Sequence, residues 1–146
     1  MVLDTNALFL PFRGGFALDR EIERILPGAE LILPGAVLAE VDRLAARGVR
    51  LASAAREWAR QFRVVPTRGR GDQAVVEAAV RERAFVVTAD RALTQLLLDR
   101  GVFVLTPRDR TRLHWAAVRP RPSTSPGARR RRPAATVKKR SRLESS

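Results

Sequence analysis

Acidic side chains stand at the places in this chain where apolar strands would end or helices begin. Asp4, for example, comes directly after the apolar residues 1–3. Four acids occupy such positions: Asp4, Glu40, Asp72 and Asp90. Ligands of an open parallel sheet bind outside the carboxyl ends of its strands, where helix N-termini also converge. The pattern therefore predicts that four carboxylates meet on one rim of a parallel sheet and form a metal site.

Repulsion between such carboxylates determines what they can bind. Two of them about 5 Å apart repel by roughly 3 kcal/mol at an effective dielectric constant near 20. Four can stay ionised and close together only if a divalent cation neutralises them. Oxygen ligands select hard cations, Mg²⁺ or Mn²⁺, over zinc. The chain has no cysteine, which excludes thiolate zinc sites and thiol nucleophiles. Its only histidine, His114, is interpreted as an ordinary surface residue.

Two of the acids also have a purely structural explanation. Asp90 would cap a helix that starts at Arg91, a role that aspartate fills readily. Taken alone, Asp90 is better explained by capping than by chemistry. Asp4 would form a turn with Thr5 and Asn6. That explanation is weaker for Asp4, because the segment after it lacks a strong helical pattern.

Helical spacing refines the choice of the other two acids. Asp72 precedes Val75 by three residues, so it is expected on the stripe that faces the core, where a carboxylate needs a partner or a metal. Its alternative is a helix-start acid that stays at the wet edge. Glu40 and Asp42 fall on opposite margins of one buried helical stripe and cannot both line a pocket. Glu40 lies nearer the strand end and is preferred, although periodicity alone does not decide.

The elements that must position these acids alternate between short apolar strands and amphipathic helices. Strands are predicted over residues 1–3, 31–33, 64–65, 85–88 and 102–105, and helices over residues 18–26, 36–46, 50–62, 72–83 and 91–100. Trp58 lies on the apolar stripe of its helix and is interpreted as a core or interface anchor. Helices that alternate with wholly apolar strands indicate a parallel α/β sheet covered on both faces.

Charge divides the chain into two predicted regions. The whole chain carries a net charge of +13. Residues from 119 onward hold ten basic side chains and one acid, a charge of +9, which leaves +4 for residues 1–118. Pro, Ser, Thr, Ala and Arg dominate residues 119–146, so this segment is expected to be a disordered Arg-rich tail. Such a basic excess indicates a nucleic-acid partner. An anionic membrane is disfavoured, because the tail has no apolar face.

Length and hydropathy indicate the class of protein and its cellular location. The 146 residues, 45% of them hydrophobic, fit one globular domain, predicted over residues 1–118. No apolar run approaches the roughly 18 residues of a membrane span. The chain starts with a strand-like segment and not with a targeting sequence. The protein is therefore expected to be cytoplasmic, with no membrane partner.

These acidic segments resemble the motifs of the PIN-domain ribonucleases. The segments that carry the resemblance, in order over roughly residues 1–115, are Val2-Leu3-Asp4-Thr5-Asn6, Val37-Leu38-Ala39-Glu40-Val41, Gly71-Asp72 and Val87-Thr88-Ala89-Asp90. The arrangement that ends at Leu105 looks most like the small archaeal and eukaryotic branch related to the ribosomal-RNA processing factor Fcf1. The resemblance implies a PIN-like three-layer α/β fold, with a central parallel sheet flanked by helices.

The resemblance also implies an activity and a residue set. It implies a Mg²⁺- or Mn²⁺-dependent endoribonuclease in which Asp4, Glu40, Asp72 and Asp90 are the catalytic and metal-binding acids. Asn6 and Thr88 would position water or hold the acids, whereas Ala89 stands where the family often has Asn. Homodimers are common in this family. Arg68, Arg70 and Arg91 lie beside the predicted rim and could hold backbone phosphates, although each alone is better explained as a solvated charge.

Three classes of function are compatible with these features to different degrees. The first is an endoribonuclease, either in RNA maturation with a ribosomal precursor as its partner or as the toxin of a toxin–antitoxin pair. The second is a catalytically silent PIN-like RNA-binding protein of ribosome assembly, which the presence of all four acids disfavours. The third is a nucleotide-binding α/β domain. The chain has neither a Gly-x-Gly-x-x-Gly nor a Gly-x₄-Gly-Lys-Ser/Thr pattern, which counts against it.

Overall fold

The computed structural model describes residues 1–117, which form an α/β fold around one six-stranded sheet. The strands are β1 (Val2–Leu3), β2 (Ile32–Pro34), β3 (Arg63–Val65), β4 (Val86–Val87), β5 (Val104–Pro107) and β6 (Leu113–Trp115). The helices are α1 (Thr5–Phe9), α2 (Leu18–Ile25), α3 (Gly35–Ala46), α4 (Arg50–Ala59), α5 (Asp72–Glu82) and α6 (Arg91–Asp99), with a 3-10 turn at Leu10–Phe12. The predicted tail, residues 119–146, lies outside the described residues. None of the helices within residues 1–117 is long and apolar enough to cross a bilayer.

The sheet places β1 at its centre, in the strand order β3-β2-β1-β4-β5-β6. Strands β1 to β5 run parallel to one another, and β6 runs antiparallel to β5. Val2 of β1 lies opposite Ile32 on one side and Val86 on the other. The central strands are wholly buried, as expected for a sheet covered by helices on both faces. The predicted fold class, a mostly parallel sheet flanked by helices in a PIN-like arrangement, is confirmed.

The strand order determines where the crevice of this sheet lies. From β1 the chain moves outward through β2 to β3, and it then returns to the other side of β1 as β4. The direction of winding therefore reverses between β1 and β4. Ligands of such sheets bind at this reversal, outside the carboxyl ends of the two strands. The residues that follow Leu3 and Val87 consequently flank the crevice.

Two elements were not predicted from the sequence. Residues 5–9 form α1, because Asp4 Oδ1 accepts a 2.7 Å hydrogen bond from the Ala7 amide and caps a turn whose apolar residues are buried. Strand β6 forms because Asp109 turns the chain back along β5. The backbone of β6 is also held by a residue outside the sheet. The amide of Leu113 donates a 3.0 Å hydrogen bond to Glu21 Oε1 on α2. Both elements are too short to show a period, so a local cap or a distant partner determines them.

Helix α3, which carries Glu40, packs mainly against α4, and α4 is in turn fixed by aromatic contacts. Trp58 of α4 packs edge-to-face against Phe62 and Phe12, with ring centroids 4.8 and 6.1 Å apart. This geometry agrees with its predicted role as a core anchor. Helix α3 also contacts α5 and follows directly after β2. Its position relative to the central strands is therefore constrained from several sides.

Candidate active site

Asp4 lies at the carboxyl end of β1, and its carboxylate is buried at the crevice, with 6% of the residue exposed. Its Oδ1 accepts from the Ala7 amide, and its Oδ2 accepts from the Thr88 hydroxyl. Burial raises the pKa of Asp4 to about 6, the nearby Asp90 and Asp72 act in the same direction, and the two hydrogen bonds oppose the shift. No cation among residues 1–117 forms an ion pair with this carboxylate. Asp4 is thus a buried acid whose charge is poorly compensated.

Thr88 links the two strand-end acids. It follows β4, is fully buried, and donates its hydroxyl proton to Asp4. The same oxygen accepts a 3.0 Å hydrogen bond from the Asp90 amide. Strands β1 and β4 bring these residues together because Leu3 lies opposite Val87 in the parallel register. Thr88 therefore fixes the Asp4 carboxylate and the backbone of Asp90 relative to each other.

Asp90 serves as the N-cap of α6 and also lines the crevice. Its Oδ1 accepts a 3.0 Å hydrogen bond from the Leu93 amide. The structural explanation considered for this residue is therefore correct. Its Oδ2 accepts no hydrogen bond from any residue that the structure describes. Capping uses only one oxygen of Asp90, and the residue also lines the crevice, so the two roles are compatible.

The structure separates Glu40 from Asp42, which periodicity could not do. Glu40 Oε1 accepts a 2.8 Å hydrogen bond from the Thr5 hydroxyl, directly after Asp4. Asp42 Oδ1 instead lies 2.8 Å from Arg56 Nε, in an ion pair with α4. The preference for Glu40 agrees with this geometry. The role of Thr5 in holding Glu40 was missed, and its only sequence signal is a hydroxyl next to Asp4.

Asp72 lies at the exposed start of α5, and the expectation that it shares the buried stripe is wrong. Val75 and Val76 are buried on this helix, whereas Asp72 is exposed. Asp72 is the first residue of α5 and is exposed there, so the alternative of a helix-start acid at the wet edge describes it correctly. Asp72 still lines the crevice. Partial burial raises the pKa of its carboxyl group, and the charges of Asp90 and Glu40 act in the same direction.

One pocket of about 360 Å³ unites the predicted acids. Asp4, Glu40, Asp72 and Asp90 all line it, together with Thr5 and Asn6. Thr88 is buried beneath it. As the side chains stand, no three Asp, Glu or His residues within residues 1–117 are close enough together to hold one ion. The structure thus brings the four acids to one pocket, and their roles in catalysis and metal binding stay predictions.

The other residues singled out in the sequence lie around this pocket or far from it. Arg68 and Arg70 line a neighbouring groove that shares Glu40 with the acidic pocket. Arg91 is exposed at the start of α6 and lines neither. His114 belongs to β6, at the edge of the sheet and away from the acids. Its predicted role as an ordinary surface residue agrees with this position.

The donor chemistry of the pocket is that of a hard divalent cation site. The candidate ligands are all carboxylate oxygens, with no nitrogen or sulfur donor among them. Burial raises the pKa of Asp4 and of Asp72, and neighbouring acids act in the same direction. A cation would compensate their negative charges. The residues present therefore fit a divalent cation in donor type, although their side chains, as they stand within residues 1–117, are not gathered around one ion.

The sequence model of a PIN-like domain family matches residues 1–110. The chain belongs to this PIN-like family. The predicted resemblance to PIN domains is thereby confirmed. PIN domains are generally nucleases and usually use divalent metals, so the family supports a nuclease-type function in general and implies RNA as the substrate. A comparison with curated protein sequences finds no match.

Solved structures show the same PIN-like fold. The PIN domain endonuclease Utp24 superposes with a TM-score of 0.59 at 20% identity, over 77% of this chain and 88% of that one. A domain of a functionally unknown protein from Methanocaldococcus jannaschii gives a TM-score of 0.56 at 18% identity, over 85% of this chain and 97% of that one. At these identities the likeness concerns the fold of the PIN-like domain alone.

Proposed function

We propose that the chain is a Mg²⁺- or Mn²⁺-dependent endoribonuclease that hydrolyses phosphodiester bonds of single-stranded or structured RNA. One observation carries this proposal: Asp4, Glu40, Asp72 and Asp90 line a single pocket at the crevice of the sheet. Ionised together, these acids repel one another. A site that gathers them is therefore suited to a cation that a phosphate group can approach.

The residues at the pocket would have different roles in this reaction. Asp4, Glu40, Asp72 and Asp90 would hold the cation, which when bound neutralises phosphate charge and activates water for in-line attack. Thr88 keeps the Asp4 carboxylate in place, and Thr5 does the same for Glu40. Asn6 is exposed at the pocket and can orient a water molecule or the RNA.

The test is cleavage of a circular single-stranded RNA by the purified full-length protein. A circle has no ends, so its linearisation reports endonucleolytic cutting alone. We expect cleavage with Mn²⁺ or Mg²⁺ and none with EDTA. Asp4→Asn should abolish the activity, and the control Asp42→Asn should retain it, because Asp42 pairs with Arg56 outside the pocket. Cleavage that persists in EDTA, or in Asp4→Asn, would refute the proposed site.

A catalytically silent RNA-binding protein is the alternative. The observation that favours it is the separation of the acids, since no three within residues 1–117 are close enough to share an ion as they stand. The same assay distinguishes the two functions. RNA binding without cleavage, under every metal condition, would support the silent protein and refute the nuclease.

The cellular setting of the proposed nuclease has two forms. In one it matures RNA in the cytoplasm, with a ribosomal precursor as its substrate. In the other it is a toxin whose partner is a small antitoxin, with homodimerisation as in other PIN proteins. A small antitoxin gene next to this one would support the toxin, and its absence would support the processing enzyme.

A further inference from the structure

A second concave surface adjoins the acidic pocket. This groove, of about 690 Å³, lies between the start of α3 and the loop of residues 66–71. It shares Ala36, Glu40 and Gly71 with the acidic pocket, so the two are continuous. We call it the arginine groove, after the side chains of Arg43, Arg68 and Arg70 that line it. Arg43 was not singled out in the sequence.

The charges of the arginine groove are available to a ligand. Its three arginines are exposed, and Glu40 is the only acid among its lining residues. No carboxylate of residues 1–117 lies within ion-pair distance of these guanidinium groups. Arg56 and Arg63, in contrast, are paired with Asp42 and Glu30. The groove therefore concentrates positive charge that the described part of the fold does not neutralise.

Backbone features of the groove also favour anions. Helices α3 and α5 both begin at it, after Pro34 and Gly71, and neither start has a side-chain cap. Both starts present the positive end of the helix dipole. At α5, however, the amides of Gln73 and Ala74 already donate to the carbonyls of Arg70 and Gly71. The two helix dipoles thus add to the positive charge of the three arginines, which suits the oxygens of phosphate groups.

Glu77 of α5 holds the groove loop in shape. Its carboxylate accepts hydrogen bonds from the Arg68 amide, at 2.9 and 3.0 Å, and from the Gly69 amide, at 3.0 Å. Arg81, which pairs with Glu77, also donates to the Pro66 carbonyl. A Cβ on Gly69 would come within 2.9 Å of Gln73 Cβ, so the loop lies directly against α5.

We propose that the arginine groove binds the backbone phosphates of single-stranded RNA next to the bond to be cut, and that Glu77 is a positioning residue which holds the loop carrying Arg68 and Arg70. This inference rests on the proposed function for the identity of the ligand. It deepens that function, because it states the path by which the strand reaches the acidic pocket. Binding through phosphates makes the contribution of the groove independent of base sequence.

The first test measures the affinity of the full-length protein for a fluorescent single-stranded RNA in EDTA, over a range of salt concentrations. Removal of one arginine–phosphate interaction should flatten the slope of log K against log salt by about 0.7 and weaken binding about fivefold at 0.1 M salt. Arg68→Gln/Arg70→Gln should therefore bind about 25-fold more weakly, with a slope flatter by about 1.4. The control Arg20→Gln/Arg100→Gln removes the same charge at exposed residues that do not line the groove. Equal affinities and slopes for the two double variants would overturn the proposal.

The second test uses a change whose expected sign opposes simple charge counting. Glu77→Ala removes a negative charge, so electrostatics alone predicts tighter RNA binding, and it also removes the oxygens that accept from the loop amides. Loss of the carboxylate that holds the loop predicts weaker binding, by about threefold or more on the scale of one arginine–phosphate interaction. The control Glu57→Ala removes the same charge at an exposed position of α4 and should not weaken binding. Unchanged or tighter binding by a folded Glu77→Ala protein would refute the positioning role.

Cleavage kinetics separate this inference from the proposed function. With Mn²⁺, the Arg68 and Arg70 double variant should raise KM and leave kcat nearly unchanged, because the predicted metal ligands are untouched. If wild-type protein cuts no RNA but the groove variants still lose affinity, the nuclease proposal fails and the groove stands. If cutting requires metal but the groove variants behave like their control, the groove fails and the nuclease stands.

Discussion

Replacement of Asp4 by Asn should stabilise the metal-free protein at neutral pH and abolish its activity. The Asp4 carboxylate is buried, and no described cation pairs with it. Asn has nearly the same shape and removes the charge. Its carbonyl oxygen can still accept from the Ala7 amide and cap α1. The substitution therefore removes an electrostatic cost of folding and the charge with which a cation would be held.

The raised pKa gives the size and sign of the effect. Asp4 titrates at about 6 in the folded protein, against an ordinary value of 3.8. At about 1.4 kcal/mol per pH unit, ionised Asp4 costs the folded state about 3 kcal/mol at pH 7. The folded state binds the Asp4 proton more tightly than the unfolded state does. Protonated Asp4 therefore stabilises the folded protein below pH 4, and this stabilisation is lost as the pH rises through 6. The stability of the Asp4→Asn protein has no such dependence on pH, because Asn does not titrate.

The assay is chemical denaturation of both proteins in EDTA at several pH values. The free energy of unfolding of Asp4→Asn minus that of wild type should be about 2–3 kcal/mol larger at pH 7 than at pH 4. Any constant cost of rearranging the Thr88 hydroxyl cancels in this comparison. Asp42→Asn, in an exposed ion pair, should show no such rise. A difference that stays constant or falls with pH would refute the argument that Asp4 is buried without compensation.

Three further outcomes are expected. Asp90→Asn should abolish metal-dependent RNA cleavage but leave the melting temperature unchanged, because Asn caps α6 as well as Asp does; undiminished cleavage would place the activity elsewhere. Glu21→Ala should lower the free energy of unfolding by about 1–3 kcal/mol by leaving the Leu113 amide unpaired, against about 0.5 kcal/mol or less for Glu57→Ala. The partner Arg24 holds the pKa of Glu21 at about 2. The loss of stability in Glu21→Ala should therefore persist above pH 4.5 and shrink as the pH falls towards 2. Truncation after Arg119 should flatten the salt dependence of RNA affinity by about 4, if about six tail charges contact phosphates; identical slopes would show that the tail serves another partner.

Much of the fold follows from local sequence patterns. Apolar runs and helical periods predicted five of the six strands and five of the six helices, because an element covered by others shows its buried face in its own sequence. The positions of Asp4 and Asp90 at strand ends could be predicted for the same reason. A parallel sheet then requires that these ends share a rim.

The sequence could not predict elements or partners that depend on distant residues. Strand β6 is held by Glu21, 92 positions away from Leu113. The choice between Glu40 and Asp42 depends on Arg56 of another helix and on Thr5 of a helix that was not predicted. Each of these contacts requires the packed fold, because neither partner shows in its own neighbourhood which residue it will meet.

The chemistry of the candidate site thus divides between the two levels. The sequence by itself determined which acids exist, the all-oxygen character of the donor set and the rim on which most of them lie. Only the tertiary structure decided that Asp72 stays at the wet edge, that Thr88 joins Asp4 to Asp90, and that a loop held by Glu77 places arginines beside the acids. Residue type and periodicity are local properties of the chain, whereas burial, hydrogen-bond partners and pKa depend on which elements pack together.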